Sequence, residues 1–164
     1  MTKIHLNLYI IFLIIIVILL DQISKWIVIQ SLSENSALYV LPILNIVLVY
    51  NPGAAFGFLA DAGGWQNGFF IVVTLLILVA IFYFLIKAKK ENRNIEMIAI
   101  ILIFAGAIGN LIDRIFKGKV VDFIDFHWHQ YHYPAFNVAD SAICIGVFLM
   151  IFSILFIPNI SKSE

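Results

Sequence analysis

Five places in an otherwise apolar chain carry side chains that could do chemistry: Asp21 with Lys25, Asn51, Asn110 with Asp113 and Arg114, Asp122 with Asp125, and Asn137 with Asp140. Asp122 is set among large apolar residues in Val120-Val121-Asp122-Phe123-Ile124-Asp125-Phe126, surroundings that raise a carboxyl pKa. Asp140 stands in Phe136-Asn137-Val138-Ala139-Asp140-Ser141 at the start of an apolar run, where Asn137 can cap a helix and the helix dipole favours an anion. Two carboxyl groups in unlike environments are what general acid-base hydrolysis needs, one ionised to take a proton from water and one protonated to polarise a carbonyl. The plainer alternative makes Asp140 a helix-start acid and Asp122 a loop acid at an interface.

The other groups read less sharply. Asp21 and Lys25 lie four apart, on one face of a helix, with the acid first, the better order for an ion pair. Asn110 and Arg114 share a face behind Gly106 and Gly109; a guanidinium there either holds a carbonyl or carboxylate, or anchors a helix end. His127, His129 and His132 crowd with Trp128, Tyr131 and Tyr133, a spacing that favours an aromatic belt at a headgroup layer over a metal centre. The single cysteine, Cys144, can form no intrachain disulfide and reads as a buried thiol without a task.

The elements that must position these groups can be read from composition. Apolar residues make up 63% of 164 and charged residues 12%, too much apolar surface for a water-soluble fold of this size. A net charge of zero removes the electrostatic case for nucleic acid. A helix needs about 20 apolar residues to cross a bilayer, and four segments qualify: about 6–29, 69–86, 95–115 and 138–157. The first is too long for a cleaved leader and runs into polar Asp21 and Gln22 instead of a small-residue cleavage site. Lys87, Lys89, Lys90 and Arg93 cluster between the second and third spans, whereas residues 30–68 hold no lysine or arginine. The positive-inside rule then puts the basic loop and both termini, with Lys3 and Lys162, in the cytoplasm. Arg114, Lys117 and Lys119 fall on the other side, which gives those cations another task. Leu44–Tyr50, closed by Asn51-Pro52-Gly53, reads as a strand entering a turn. The expected architecture is one membrane domain over 1–164: all-α, four transmembrane helices and a small extracytoplasmic β-element.

Taken together, the motifs resemble lipoprotein signal peptidase, the bacterial signal peptidase II family. The blocks are Asp21-Gln22-Ile23-Ser24-Lys25, Asn51-Pro52-Gly53-Ala54-Ala55-Phe56, Gly109-Asn110-Leu111-Ile112-Asp113-Arg114, Val120-Val121-Asp122-Phe123-Ile124-Asp125 and Phe136-Asn137-Val138-Ala139-Asp140-Ser141-Ala142. Five blocks in order around four spans cover nearly the whole chain; Pro52 departs from the family pattern. The resemblance implies an aspartic endopeptidase of the inner membrane, with its site near the outer face. It would cut signal peptides from prolipoproteins just before a diacylglyceryl-modified cysteine. It puts the catalytic pair on Asp122 and Asp140. Asn51, Asn110, Arg114 and Asn137 would hold the substrate backbone or organise the site, and Asp21, Lys25 and Asp113 would support it. It implies no metal or cofactor, prolipoproteins and membrane lipids as partners, and a monomer. Two other readings use the same acids: a proton- or ion-coupled transporter with a relay through the bilayer, and a lipoprotein-binding scaffold without catalysis.

Overall fold

In a computed structural model, residues 3–53 and 63–157 are described, with side chains from residue 8. Ala54, Ala55 and Phe56 of the second block, Lys162 and the Lys3 side chain lie outside the described residues. The element order is α1 (Lys3–Ser31), β1 (Ala37–Leu41), β2 (Leu44–Asn51), α2 (Gln66–Lys90), α3 (Asn94–Lys117), β3 (Val120–Trp128), β4 (Tyr131–His132) and α4 (Val138–Phe156).

Among the described residues, these four helices are long and apolar enough to cross a membrane. Their exposed faces carry Phe, Leu, Ile and Val, as lipid requires. The first three helices contain their expected spans and α4 ends at Phe156, one residue short of its own; α2 runs past residue 86 to Lys90 because Lys87, Lys89 and Lys90 can extend to the interface and complement the helix C-terminus. The centre of the bundle is α3, which packs against α1, α2 and α4 and is 56% buried over its apolar window, against 6% for α2. Small residues let α3 and α4 approach closely. A Cβ at Gly146 would lie 2.6 Å from the Ala99 carbonyl oxygen, and one at Gly106 would collide with the carbonyl of Ala139.

Helix α3 stops at Gly118, whose φ of 73° is the left-handed conformation that ends a helix, and the chain turns directly into β3. The four strands pair in the order β1-β2-β3-β4, all antiparallel. The expected strand at Leu44–Tyr50 is β2. Asp122, which the sequence allowed as a loop acid, stands on β3 instead: Val120, Val121, Phe123 and Ile124 satisfy a strand whose inner face packs with Val28 near the end of α1 and Leu48 of β2. A register shift in β2 between Ile46 and Val49 sets Asp122 opposite Val49.

Cys144 departs from expectation. It is exposed on α4, where that helix borders a cavity. At the bundle end away from the sheet, Glu96 is buried against Arg93 (2.5 Å) and accepts from Ser153 Oγ (3.2 Å), stapling α3 to the far end of α4.

Candidate active site

Asn137 caps α4: its side-chain oxygen accepts from the Asp140 backbone N–H at 2.9 Å, and Asp140 Oδ2 accepts from the Asn137 N–H at 3.2 Å. This reciprocal box fixes the Asp140 carboxylate at the helix start. It also fixes the amide of Asn137. A backbone N–H can only donate, so Asn137 must face it with oxygen and turn its NH2 the other way. That NH2 donates to Asp122 Oδ1 at 2.7 Å.

The same logic orients Asn110. Its Oδ1 meets the Lys25 ammonium, also a donor only, at 3.1 Å, so its NH2 points to Asp140 Oδ1 at 2.7 Å. The Asn137 NH2 lies 3.1 Å from that same Asn110 oxygen. Asp122 and Asp140 are therefore joined by two side-chain amides whose orientations are forced. Asn51 completes the set, donating to Asp122 Oδ2 at 3.0 Å while its own oxygen accepts from the Gly53 N–H at 2.9 Å.

Behind these amides lies a buried ion cluster. Lys25 Nζ sits 2.8 Å from both Asp21 Oδ2 and Asp113 Oδ2, and all three side chains are fully buried. Each acid reaches the backbone beside one member of the pair: Asp21 Oδ1 accepts from the N–H of Ala139 (2.9 Å), next to Asp140, and Asp113 Oδ2 accepts from that of Val121 (3.2 Å), next to Asp122. Lys117, one of the cations that the charge rule left without a task, binds Asp113 Oδ1 at 2.8 Å. Gln22 donates to Asp21 Oδ2 at 3.0 Å and to the Gly109 carbonyl at 3.1 Å.

Asn51, Asn110, Arg114, Asp122 and Asp140 line one cavity of about 740 Å³, walled on one side by residues 133–136 and on α4 by Ser141, Ile143 and Cys144. Arg114 Nη2 donates to the Gly53 carbonyl at 3.1 Å, and its guanidinium lies 5.3 Å from the centre of the Phe70 ring. Asp122 is 3% exposed; burial, and then the negative charge of Asp140, push its carboxyl up to about 7 against the donors Asn51 and Asn137. Two close carboxyls, one of which keeps its proton to near neutrality, can share a single proton and activate water against a carbonyl.

Of the sequence candidates, Asp122, Asp140, Asn51, Asn110 and Asn137 form one hydrogen-bonded set in which the amides link the two carboxyls, Arg114 joins them through the cavity wall, and Asp21, Lys25 and Asp113 form the cluster behind. The histidines lie elsewhere: His132 pairs with Asp125 at 2.9 Å, His127 stacks on His132, and His129 takes the β3–β4 turn with φ of 55°. Among the described residues no group of three or more His, Cys, Asp or Glu side chains is placed to hold a metal ion. Sequence reasoning missed Asn45, Glu96 and Ser153. Glu96, three residues after Arg93, carried a helical ion-pair signal, while Ser153 showed only as a polar residue in an apolar span.

The profile of signal peptidase (SPase) II matches residues 13–156. The chain belongs to the signal peptidase II family. The lipoprotein signal peptidase of Polynucleobacter necessarius is 48% identical over 137 residues, covering 84% of this chain and 83% of that one. That of Pasteurella multocida is 46% identical over 151 residues, covering 92% and 91%. A bacterial membrane enzyme solved by the in meso method at 2.3 Å matches with a TM-score of 0.82 and 39% identity over 95% of this chain and 93% of that one. The signal peptidase II fold is thus a multi-pass membrane fold, and the four helices described here are its bundle.

Proposed function

We propose that this chain removes the signal peptide from diacylglyceryl-modified prolipoproteins by aspartic catalysis, cutting before the lipidated cysteine. The observation that carries this is the convergence of Asp122 and Asp140 on one cavity, joined by amides that can each present only their NH2 to a carboxylate. A water held between the two carboxyl groups attacks the scissile carbonyl carbon. The ionised carboxyl takes its proton and the protonated one gives its proton to the carbonyl oxygen, forming a neutral gem-diol. Collapse of the diol returns a proton to that carboxyl, the leaving nitrogen takes the proton gained from water, the C–N bond breaks, and the shared proton is restored. The pair titrates as a unit, so base and acid belong to the pair.

In this reading Asn51, Asn110 and Asn137 organise the pair, and Arg114 holds the turn at Gly53 that borders the substrate. The chain works as a single domain and a monomer in the cytoplasmic (inner) membrane. Both termini and the α2–α3 turn lie in the cytoplasm, the cavity opens near the outer face, and the signal helix and lipid chains lie against the exposed apolar helix faces. A transporter relay would need ionisable groups through the bilayer depth, but between Glu96 and Asn110 the buried residues of α3 are Met97, Ala99, Ile100, Ile101, Ala105, Gly106 and Gly109.

The test is cleavage of a diacylglyceryl-modified prolipoprotein peptide by the purified protein in detergent, with Asp122→Asn and Asp140→Asn beside the parent. Cleavage by the parent and a loss of at least about a hundredfold in each variant is expected. A parent that does not cleave, or a variant that cleaves undiminished, overturns the proposal.

A further inference from the structure

Asp125 takes no part in the chemistry above, yet it is buried and engaged on two sides. Its Oδ2 accepts from Asn45 Nδ2 on β2 at 3.0 Å, and its two oxygens lie 2.9 and 3.0 Å from His132 Nδ1 on β4. Side chains thus tie three neighbouring strands together. Burial alone would raise this carboxyl, but the hydrogen bonds from His132 and Asn45 outweigh it and hold it below the usual carboxylate range. His127, the cross-strand partner of His132, stacks on it with ring centres 5.0 Å apart.

The segment after His132 gives the tie its meaning. Tyr133, Pro134, Ala135 and Phe136 are consecutive and all line the reaction cavity. This wall is fastened to β3 at both ends: the Tyr133 N–H donates to the Phe126 carbonyl at 2.8 Å, and Phe136 exchanges bonds of 2.8 and 3.1 Å with Ile124. Its inner end leads straight into the Asn137 cap. Its outer end hangs on β4, two exposed residues long, too short a strand to hold its own register. Asp125 stands on β3 three residues after Asp122, so a pin from Asp125 to His132 sets the wall against the strand that carries one of the reacting carboxyls.

We propose that Asp125, acting through His132, is a positioning residue for substrate binding: it holds the 133–136 wall against β3 and so fixes the width of the slot over Asp122 and Asp140. The proposal rests on the peptidase reading. Neither side chain reaches the reacting atoms, so a loosened wall weakens substrate binding and leaves the chemical step intact.

The variants are His132→Ala, Asp125→Ala, the double variant, and Asp125→Asn. The His132 side chain is 52% exposed, so its removal leaves core packing intact. With a diacylglyceryl prolipoprotein peptide, His132→Ala and Asp125→Ala raise KM about tenfold with kcat within about twofold, and the alkaline limb of the pH profile stays in place. The double variant is no worse than either single one, and Asp125→Asn, which keeps an acceptor for His132, recovers most of the loss. Unchanged KM, a fall in kcat alone, or additive effects in the double variant overturn it. Hydrogen exchange reads the pin without activity: the Tyr133 amide exchanges about tenfold faster in His132→Ala while α3 amides keep their parent rates. Parent-like exchange at Tyr133 overturns the pin, whereas failure of the parent to cleave counts against the peptidase reading.

Discussion

A carboxyl that keeps its proton until about pH 7 in the fold, against about 3.9 in an unfolded chain, binds that proton more tightly when native. The stability it contributes is complete below the unfolded value and disappears as pH rises through the folded one. The melting temperature of the parent in detergent therefore falls between about pH 5 and about pH 8, and Asp122→Asn flattens this slope; a slope unchanged in the variant would assign the effect to another group. Activity follows the same proton: kcat/KM declines above about pH 7 as the shared proton leaves, measured as the alkaline limb of the rate profile. Lys25 acts differently. Replacing it with Met leaves Asp21 buried without a counter-ion and Asp113 with Lys117 alone, at a cost of about 3–5 kcal/mol by thermal unfolding, and removes one of the two donors that hold the Asn110 oxygen away from Asp140. The triple variant Asp21→Asn, Lys25→Met, Asp113→Asn recovers part of the stability without recovering cleavage, because Asn110 then keeps only the Asn137 NH2, and no cation, to hold its oxygen in place.

Between elements, the site depends on how closely three helices approach. A Cβ at Gly109 would lie 2.7 Å from Asp21 Oδ2, the oxygen bound to Lys25. Gly109→Ala pushes Asp21 away from the Ala139 N–H, lowering stability by about 1–3 kcal/mol and cleavage with it. Gly68→Ala, at a position on α2 where a Cβ meets open space, is neutral to slightly stabilising by the same unfolding measurement. The four helices were legible from the sequence because lipid demands continuous apolar runs, and β2 because its β-branched run ends in Asn51-Pro52-Gly53. Strand β3 was not, since its carboxylates break the apolar pattern and its partner is set by a register shift in β2. Asp122 and Asp140 were legible as a pair through the family motifs; the unlike surroundings expected of them were not found, since both carboxyls are drawn into the wall of the same cavity. The amide links between them, and the Asp125–His132 tie, depend on which strands become neighbours, and no local pattern states that.

For the whole molecule, charge and site make one statement about sidedness. The sheet, the cavity and the Lys25 cluster occupy one end of the bundle, and the α2–α3 turn, with Lys87, Lys89, Lys90 and Arg93, occupies the other. On the proposed function, the positive-inside rule assigns that turn to the cytoplasm and the cavity to the outer side, where a translocated substrate would present its cleavage site. The cations on the opposite side do not contradict this, because Lys117 is bound to Asp113 and Arg114 to the Gly53 carbonyl, and both serve the site. Cys144 is the single cysteine, so a Cys144→Ala background permits one labelled position at a time. Glu34→Cys, in the turn before β1, reacts with a membrane-impermeant maleimide in intact spheroplasts; Asn94→Cys, at the start of α3, reacts only after lysis. The reverse pattern would invert the molecule and place the Asp122–Asp140 cavity on the side where no translocated signal peptide can reach it.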